Sequence, residues 1–201
     1  MSDRLLVATT NPGKLAEIAR VLADAPVILR SLADLPGIAE PAEHGATFAE
    51  NARDKARYYA RESGLTTVAE DSGLEIDALD GAPGVLSARF PGATYPDKFA
   101  RIFAMLDERG VEDSPARFVC ALAVARGDEI VFEAEGRVEG RTTRNPRGSG
   151  GFGYDPILFY PPYGRTLAEV SAEEKAAVSH RGQAFRALRA WLTAVTPGDR
   201  R

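Results

Sequence analysis

A single cysteine in 201 residues has nothing to pair with, which excludes a disulfide framework and any zinc site built on several cysteines. No apolar run approaches the ~18 residues of a transmembrane span. The opening stretch MSDRLLVATTNPGK offers at most four consecutive apolar residues, too few for the core of a signal peptide. Nor is there an excess of one charge: 25 Lys and Arg face 29 Asp and Glu, for a formal charge of −4. That balance argues against a dedicated nucleic-acid or membrane-surface binder, which carries a basic excess. Internal repeats and low-complexity tracts are missing too. What is present is ordinary: 44% hydrophobic and 27% charged residues, in a chain long enough to bury on the order of 70% of its unfolded surface. These features describe a soluble, single-domain protein of a reducing cytoplasm.

Leu5 to Ala8 is a short apolar run that reads as a strand buried on both faces. Asn11 followed by Pro12 opens a helix to about Ala23, since Asn caps and Pro suits the first helical position. Val27 to Leu29 reads as a second strand, and 31–46 as loop. Thr47-x-x-Glu50 is a capping box for a helix through about Glu62. Strands are expected over Leu65–Glu70 and Leu74–Ala78, separated by an Asp71-Ser72-Gly73 turn. Residues 80–96 are rich in Gly and Pro and irregular, the kind of long segment that is usually functional. A helix follows over Asp97–Arg109, then a hairpin of Arg117–Arg126 and Glu129–Val138 across Gly127-Asp128. Ile157–Tyr160 reads as a strand, Ser171-x-x-Glu174 as another capping box, and His180–Val195 as the last helix. The fold class is α/β or α+β around a mixed sheet.

Four segments could carry chemistry. In Thr9-Thr10-Asn11-Pro12-Gly13-Lys14 a strand runs into a helix N-terminus, where backbone N–H groups, the helix dipole and Lys14 can cradle a phosphate. It lacks the G-x-x-x-x-G-K-[ST] of a Walker loop, and a capped helix with no further role is the alternative. Glu70-Asp71-Ser72-Gly73-Leu74-Glu75-Ile76-Asp77 places four carboxylates in eight residues, which is costly unless a cation neutralises them. An oxygen-only set points to Mg²⁺ or Mn²⁺ rather than Zn²⁺, with Glu43 and Glu50 able to complete it. An acidic solvated turn is the plainer account. Gly148 to Asp155 satisfies G-x-G-x-x-G, but neither a strand before nor a helix after supports a dinucleotide fingerprint. A glycine loop remains, presenting Phe152 and Tyr154 to a base or folding them into the core. Lys175 and Ser179-His180-Arg181 place cations near a helix start, against its dipole, so an anionic or carbonyl-rich ligand would favour them. An exposed pair is the alternative. Cys120 reads as a buried strand residue, and no G-x-S-x-G elbow supports a hydrolase built on Ser72 and His180.

The blocks TTNPGK, EHGATFAENARDKA, EDSG, GAPGVLSARFPG, GGFGYDP and SHRGQA occur in that order. Together they resemble the inosine triphosphate pyrophosphatase family, also called dITP/XTP pyrophosphatases, from Leu5 to about Leu192. The resemblance implies a homodimeric, Mg²⁺-dependent enzyme, with one or more ions per subunit, that cleaves ITP, dITP and XTP to the monophosphate and pyrophosphate. It implies a long curved mixed sheet flanked by helices, with two lobes around a nucleotide cleft. It carries Thr9, Thr10, Asn11, Pro12, Gly13 and Lys14 over as triphosphate-binding residues. Asp71 becomes the catalytic proton acceptor and a metal ligand, Ser72 its substrate-binding neighbour and Glu43 the acidic residue near the metal. Phe152, Gly153, Tyr154 and Asp155 become the nucleoside block, and Lys175, His180 and Arg181 the remaining substrate contacts. His44 departs from the family's more usual Thr, Asp or Asn beside that glutamate.

The physics is compatible with that assignment. A triphosphate brings about four negative charges, so a chain of net charge −4 must concentrate Lys14, Lys55, Lys175 and Arg181 locally. A donor from Arg181, with His180 or Lys175 nearby, is expected to face the 6-carbonyl of inosine and reject the 6-amino group of adenosine. The rivals are a Maf-type nucleotide pyrophosphatase acting on other bases and a nucleotide-binding module without turnover.

Overall fold

The computed structural model describes residues 4–194. One seven-stranded mixed sheet runs in the order β2-β1-β3-β4-β5-β6-β7. Its strands are β1 (Arg4–Val7), β2 (Ile28–Ser31), β3 (Thr66–Ile76), β4 (Pro115–Arg126), β5 (Glu129–Thr142), β6 (Leu158–Tyr160) and β7 (Arg165–Thr166). Five α-helices complete it: α1 (Pro12–Val21), α2 (Phe48–Ser63), α3 (Tyr95–Glu108), α4 (Ala172–Val178) and α5 (His180–Ala194). The expected fold class is therefore observed. β1 lies parallel to both β2 and β3, with Leu6 opposite Arg30 on one side and Thr67 on the other. A strand flanked on both sides and covered on both faces has to be apolar throughout, and Leu5 and Leu6 are almost wholly buried. The remaining edge is antiparallel, β5 to β6 and β6 to β7.

The chain forms two compact units, residues 4–71, 120–136 and 180–194 in the first and 72–119 and 137–179 in the second. Each has its own core. In the first, Leu5, Val7, Ile18 and Leu22 pack with Val68, Leu122, Val124, Phe185 and Leu188. In the second, Leu74, Ile76, Phe99, Ile102 and Leu106 pack with Phe118, Tyr154, Ile157 and Leu167.

Local signals behave as the residues dictate. Asn11 accepts from the Gly13 and Lys14 N–H groups at 2.9 and 3.1 Å, and α2 and α4 start on the reciprocal capping boxes Thr47/Glu50 and Ser171/Glu174. A third box, Thr94/Asp97, starts α3 two residues before the expected point. α2 ends at Gly64, whose φ of +68° is the left-handed stop that glycine supplies without strain. Val195, expected to end the last helix, lies outside the described residues.

One expectation fails. Asp71-Ser72-Gly73 is not a turn: β3 runs unbroken from Thr66 to Ile76. The Leu74 N–H donates to Ser87 Oγ at 2.9 Å, and that hydroxyl donates to the Gly84 carbonyl at 2.6 Å. A side chain at Gly73 would collide with the same Ser87 hydroxyl and Gly84 carbonyl. The glycine serves close approach within an extended strand, not a reversal of the chain.

Candidate active site

The first unit assembles its charged groups around the middle of β3. Glu70 and Asp71 are neighbours in an extended strand, so their side chains leave opposite faces and meet different partners. Glu70 meets Lys14 Nζ at 2.7 Å and Arg181 Nη2 at 3.5 Å, and Cys120 Sγ lies 3.5 Å away. Burial would raise this carboxyl, but Arg181, Lys14 and Lys55 outweigh it and hold it far below the usual carboxylate range. Arg181 is only 1% exposed, and its other terminal nitrogen donates to Glu17 at 2.6 Å. Its guanidinium is raised by Glu70, Cys120 and Glu17 against the opposing effect of burial. Cys120 is a buried strand residue, as expected, with its thiol pushed well up by burial and by Glu70.

Asp71 faces α2. Asn51 Nδ2 donates to Asp71 Oδ2 at 2.9 Å, and Lys55 Nζ stands 3.7 Å from Oδ1 while donating to Glu43 at 2.6 Å. Four residues apart, Asn51 and Lys55 share a helix face, which is why one helix reaches both oxygens. Burial raises the Asp71 carboxyl above its ordinary value, helped by Glu43 and Glu70 and opposed by Lys55 and the Asn51 bond. For Lys55 burial acts downward, yet Asp71, Glu70 and Glu43 together lift it. A partly desolvated carboxylate beside an ammonium can accept or orient a proton.

Of the four carboxylates in EDSGLEID, two belong here. Glu75 and Asp77 instead pair with Arg117, at 3.5 and 2.7 Å. Glu50 is held by the Ala46 and Thr47 N–H groups and does not join Asp71, whereas Glu43 comes within reach through Lys55. The expected cluster is thus smaller than its sequence suggests, and ammonium and guanidinium groups neutralise it.

Among the described residues no three metal-ligating side chains lie close enough to hold an ion by themselves. Mg²⁺ does not need such a cage: it is commonly held by one or two carboxylates, with phosphate oxygens and water filling the other positions. Asp71 and Glu43, oxygen donors both in touch with Lys55, fit an ion of that kind.

The helix-start segment is capped more fully than expected. Asn11 takes the Gly13 and Lys14 N–H groups, the Leu15 N–H bonds to the Asn11 carbonyl, and Pro12 has none. The Asn11 N–H itself reaches Thr9 Oγ1 at 3.2 Å. What the first turn offers an anion is the Lys14 charge, the dipole and the exposed Thr10 and Asn11 side chains, not a row of unpaired amides.

The second unit holds the glycine loop. Lys175 Nζ lies 2.5 Å from Asp155 Oδ2, with both residues buried, and the same oxygen accepts the Phe152 N–H at 2.8 Å. Lys175 Nζ also sits 4.7 Å from the centre of the Phe152 ring, which is only half-buried. A side chain at Gly151 would strike Asp155 Oδ2 and come within 3.0 Å of Lys175 Nζ, and its φ of +66° suits glycine as well. Tyr154 is not presented. It is 5% exposed, donates to the Ser87 carbonyl at 2.8 Å, and packs edge-on against Tyr95.

The sequence pattern of the Ham1 family matches residues 5–191, nearly the whole chain. The chain belongs to the Ham1 family. Among Ham1-type relatives, a dITP/XTP pyrophosphatase of Exiguobacterium is 44% identical over 195 residues, covering 97% of this chain and all of that one. One from Thermus thermophilus is 46% identical, covering 92% and 89%. A solved HAM1 protein from Coxiella burnetii superposes with a TM-score of 0.89 at 38% identity, covering 96% of this chain and 100% of that one. A Mycobacterium abscessus structure described as a nucleoside-triphosphatase / dITP/XTP pyrophosphatase gives 0.71 at 45% identity, covering 92% and 97%. The Maf-type alternative is set aside by this membership.

For this Ham1 chain, sequence reasoning grouped Lys175 with His180 and Arg181. The structure gives Lys175 to Asp155 and Phe152 in the second unit, and Arg181 to Glu17 and Glu70 in the first. Ser179 is the C-cap of α4 and also the extended residue directly before α5, so His180 and Arg181 do stand in the first turn of a helix, with His180 buried. Two residues went unnoticed. Asn51 was hidden inside a capping-box helix. Gly136 admits α5 against β5, since a side chain there would strike the His180 carbonyl and come within 2.9 Å of the Ala184 nitrogen.

Proposed function

We propose that this chain hydrolyses deaminated purine nucleoside triphosphates, ITP, dITP and XTP, to the monophosphate and pyrophosphate. The observation that supports it most is Asp71, a buried carboxylate lifted above its ordinary range and set between Asn51 and Lys55. The names of the relatives above point the same way.

In this account Thr9, Thr10, Asn11 and Lys14 hold the phosphates, with Ser72 beside Asp71 as a further substrate contact. Asp71 accepts a proton from the attacking water, or orients it, a role worth about 10²–10⁴-fold. Lys55 offsets charge as the phosphates arrive. Mg²⁺, or Mn²⁺ in its place, would be held by Asp71 and Glu43 with the phosphates, and when bound it supplies charge neutralisation across them. Phe152 stacks on the base, Gly153 and Asp155 shape its surroundings, and Lys175, fixed by Asp155, presents a cation beside it. His180 remains a candidate donor to the 6-carbonyl. The terminal donors of Arg181 are engaged by Glu17 and Glu70, so its part is to hold Glu70 and, through it, Lys14. The two units serve as lobes of a single domain. The resemblance also supports a homodimer in the cytoplasm, which sedimentation of the purified chain checks. For the described residues, no helix is long and apolar enough to cross a membrane.

The test is Asp71→Asn assayed with ITP and Mg²⁺. Asn keeps the shape but loses basicity and charge, so kcat should fall at least about 100-fold while the melting temperature is kept. Retention of more than about a tenth of kcat excludes Asp71 as the base.

A further inference from the structure

Asn51 is 2% exposed and makes two bonds of opposite sense. Its Oδ1 accepts the Gly45 N–H at 2.8 Å, and its Nδ2 donates to Asp71 Oδ2 at 2.9 Å. Because the Gly45 group is a donor and Asp71 an acceptor, only one orientation of the amide serves both, and no carboxylate of the same shape could. Gly45 carries an independent mark of the same contact. Its φ is not in the left-handed region, so it is not glycine for backbone reasons. It is glycine for space: a Cβ there would stand 2.7 Å from Asn51 Oδ1 and 2.9 Å from the Asn51 nitrogen. The segment is fixed further by the Ala46 and Thr47 N–H groups, which donate to Glu50 at 2.7 and 3.1 Å, and it carries Glu43 two residues upstream.

From this geometry we infer that Asn51 is a positioning residue for the reaction. It locks the Asp71 carboxylate by its Oδ2, leaves Oδ1 toward Lys55, and ties that carboxylate to the backbone of the 43–47 segment. The inference rests on the assignment of Asp71 as the base. Gly45 is the counterpart that keeps the Asn51 amide from turning over or shifting.

The test uses full-length protein with Mg²⁺ and ITP, and compares Asn51→Leu, Gly45→Ala, their combination, and Asp71→Asn. Leu matches Asn in size and removes both bonds. The expected result is a kcat for Asn51→Leu about 30-fold or more below the parent with KM within about threefold, as for a group that acts only in the transition state. Gly45→Ala should lower kcat in the same direction by about five- to tenfold and add less than about twofold in the Asn51→Leu background, since both act through one contact. A merely structural role would lower the melting temperature and the active fraction and leave kcat per active enzyme unchanged. Should Asn51→Leu fail to fold, Asn51→Ala removes both bonds without adding a charge or a bulkier side chain, and the same loss of kcat is expected. If Asp71→Asn is inactive while the Asn51 variant keeps kcat within about twofold, or if the losses add, the inference is overturned and the assignment of Asp71 stands. If Asp71→Asn stays active, both fall.

Discussion

Arg181 carries a charge that water barely reaches, between Glu17 at 2.6 Å and Glu70 at 3.5 Å. Removing Arg181 leaves the buried Glu70 with Lys14 as its close cation and Glu17 partly in water, so the loss lies at or below the about 3–5 kcal/mol of a buried charge left wholly unpaired. Arg181→Ala is therefore expected to destabilise the chain on that scale in urea unfolding and to reduce kcat/KM for ITP and ATP by the same factor. A loss confined to ITP with stability unchanged would return Arg181 to the role of base reader. The sequence made that role attractive, because cations in the first turn of a helix are unfavourable without an acidic partner. Two acidic partners of Arg181, Glu17 and Glu70, lie more than a hundred residues away along the chain and could not be read from local spacing. Tyr154 shows the same limit: a glycine loop does not reveal that its tyrosine bonds to the Ser87 carbonyl.

At the level of elements, the features legible in the sequence are those decided within four residues. Asn11 with Pro12, Thr47 with Glu50, and Ser171 with Glu174 each start a helix where their short-range bonds demand it. Asp-Ser-Gly turns in isolation, but here it lies in β3, a strand between β1 and β4 whose Leu74 N–H is taken by Ser87 Oγ thirteen residues further on. Gly136 belongs to the same class. It looks like a weak point in β5, yet it is where the first turn of α5 comes into contact with that strand. Gly136→Val must push the His180 carbonyl, Gln183 and the Ala184 backbone aside. Overpacking of this sort costs about 1–3 kcal/mol, which lowers the melting temperature of a chain this size by about 2–10 °C. Scanning calorimetry checks the shift, and turnover should fall with it. A melting temperature unchanged from the parent would show that α5 has room to spare.

For the whole molecule, the sequence conveyed the fold class, and its six blocks in fixed order supply the residues proposed for the site. It did not convey how those residues are divided. Lys14, Lys55, Glu70, Asp71 and Arg181 form one set in the first unit, while Phe152, Asp155 and Lys175 form another in the second. The central claim is that Asp71 and its cations cut between the α- and β-phosphates of a nucleotide whose purine carries a 6-carbonyl. Its most direct measurement is the identity of the products when the purified chain acts on ITP, XTP and ATP with Mg²⁺. The account predicts pyrophosphate and the monophosphate in equal amounts from ITP and XTP, with kcat/KM for ATP lower by up to about 10⁴-fold. Orthophosphate as the product, or equal turnover of ATP, would contradict it.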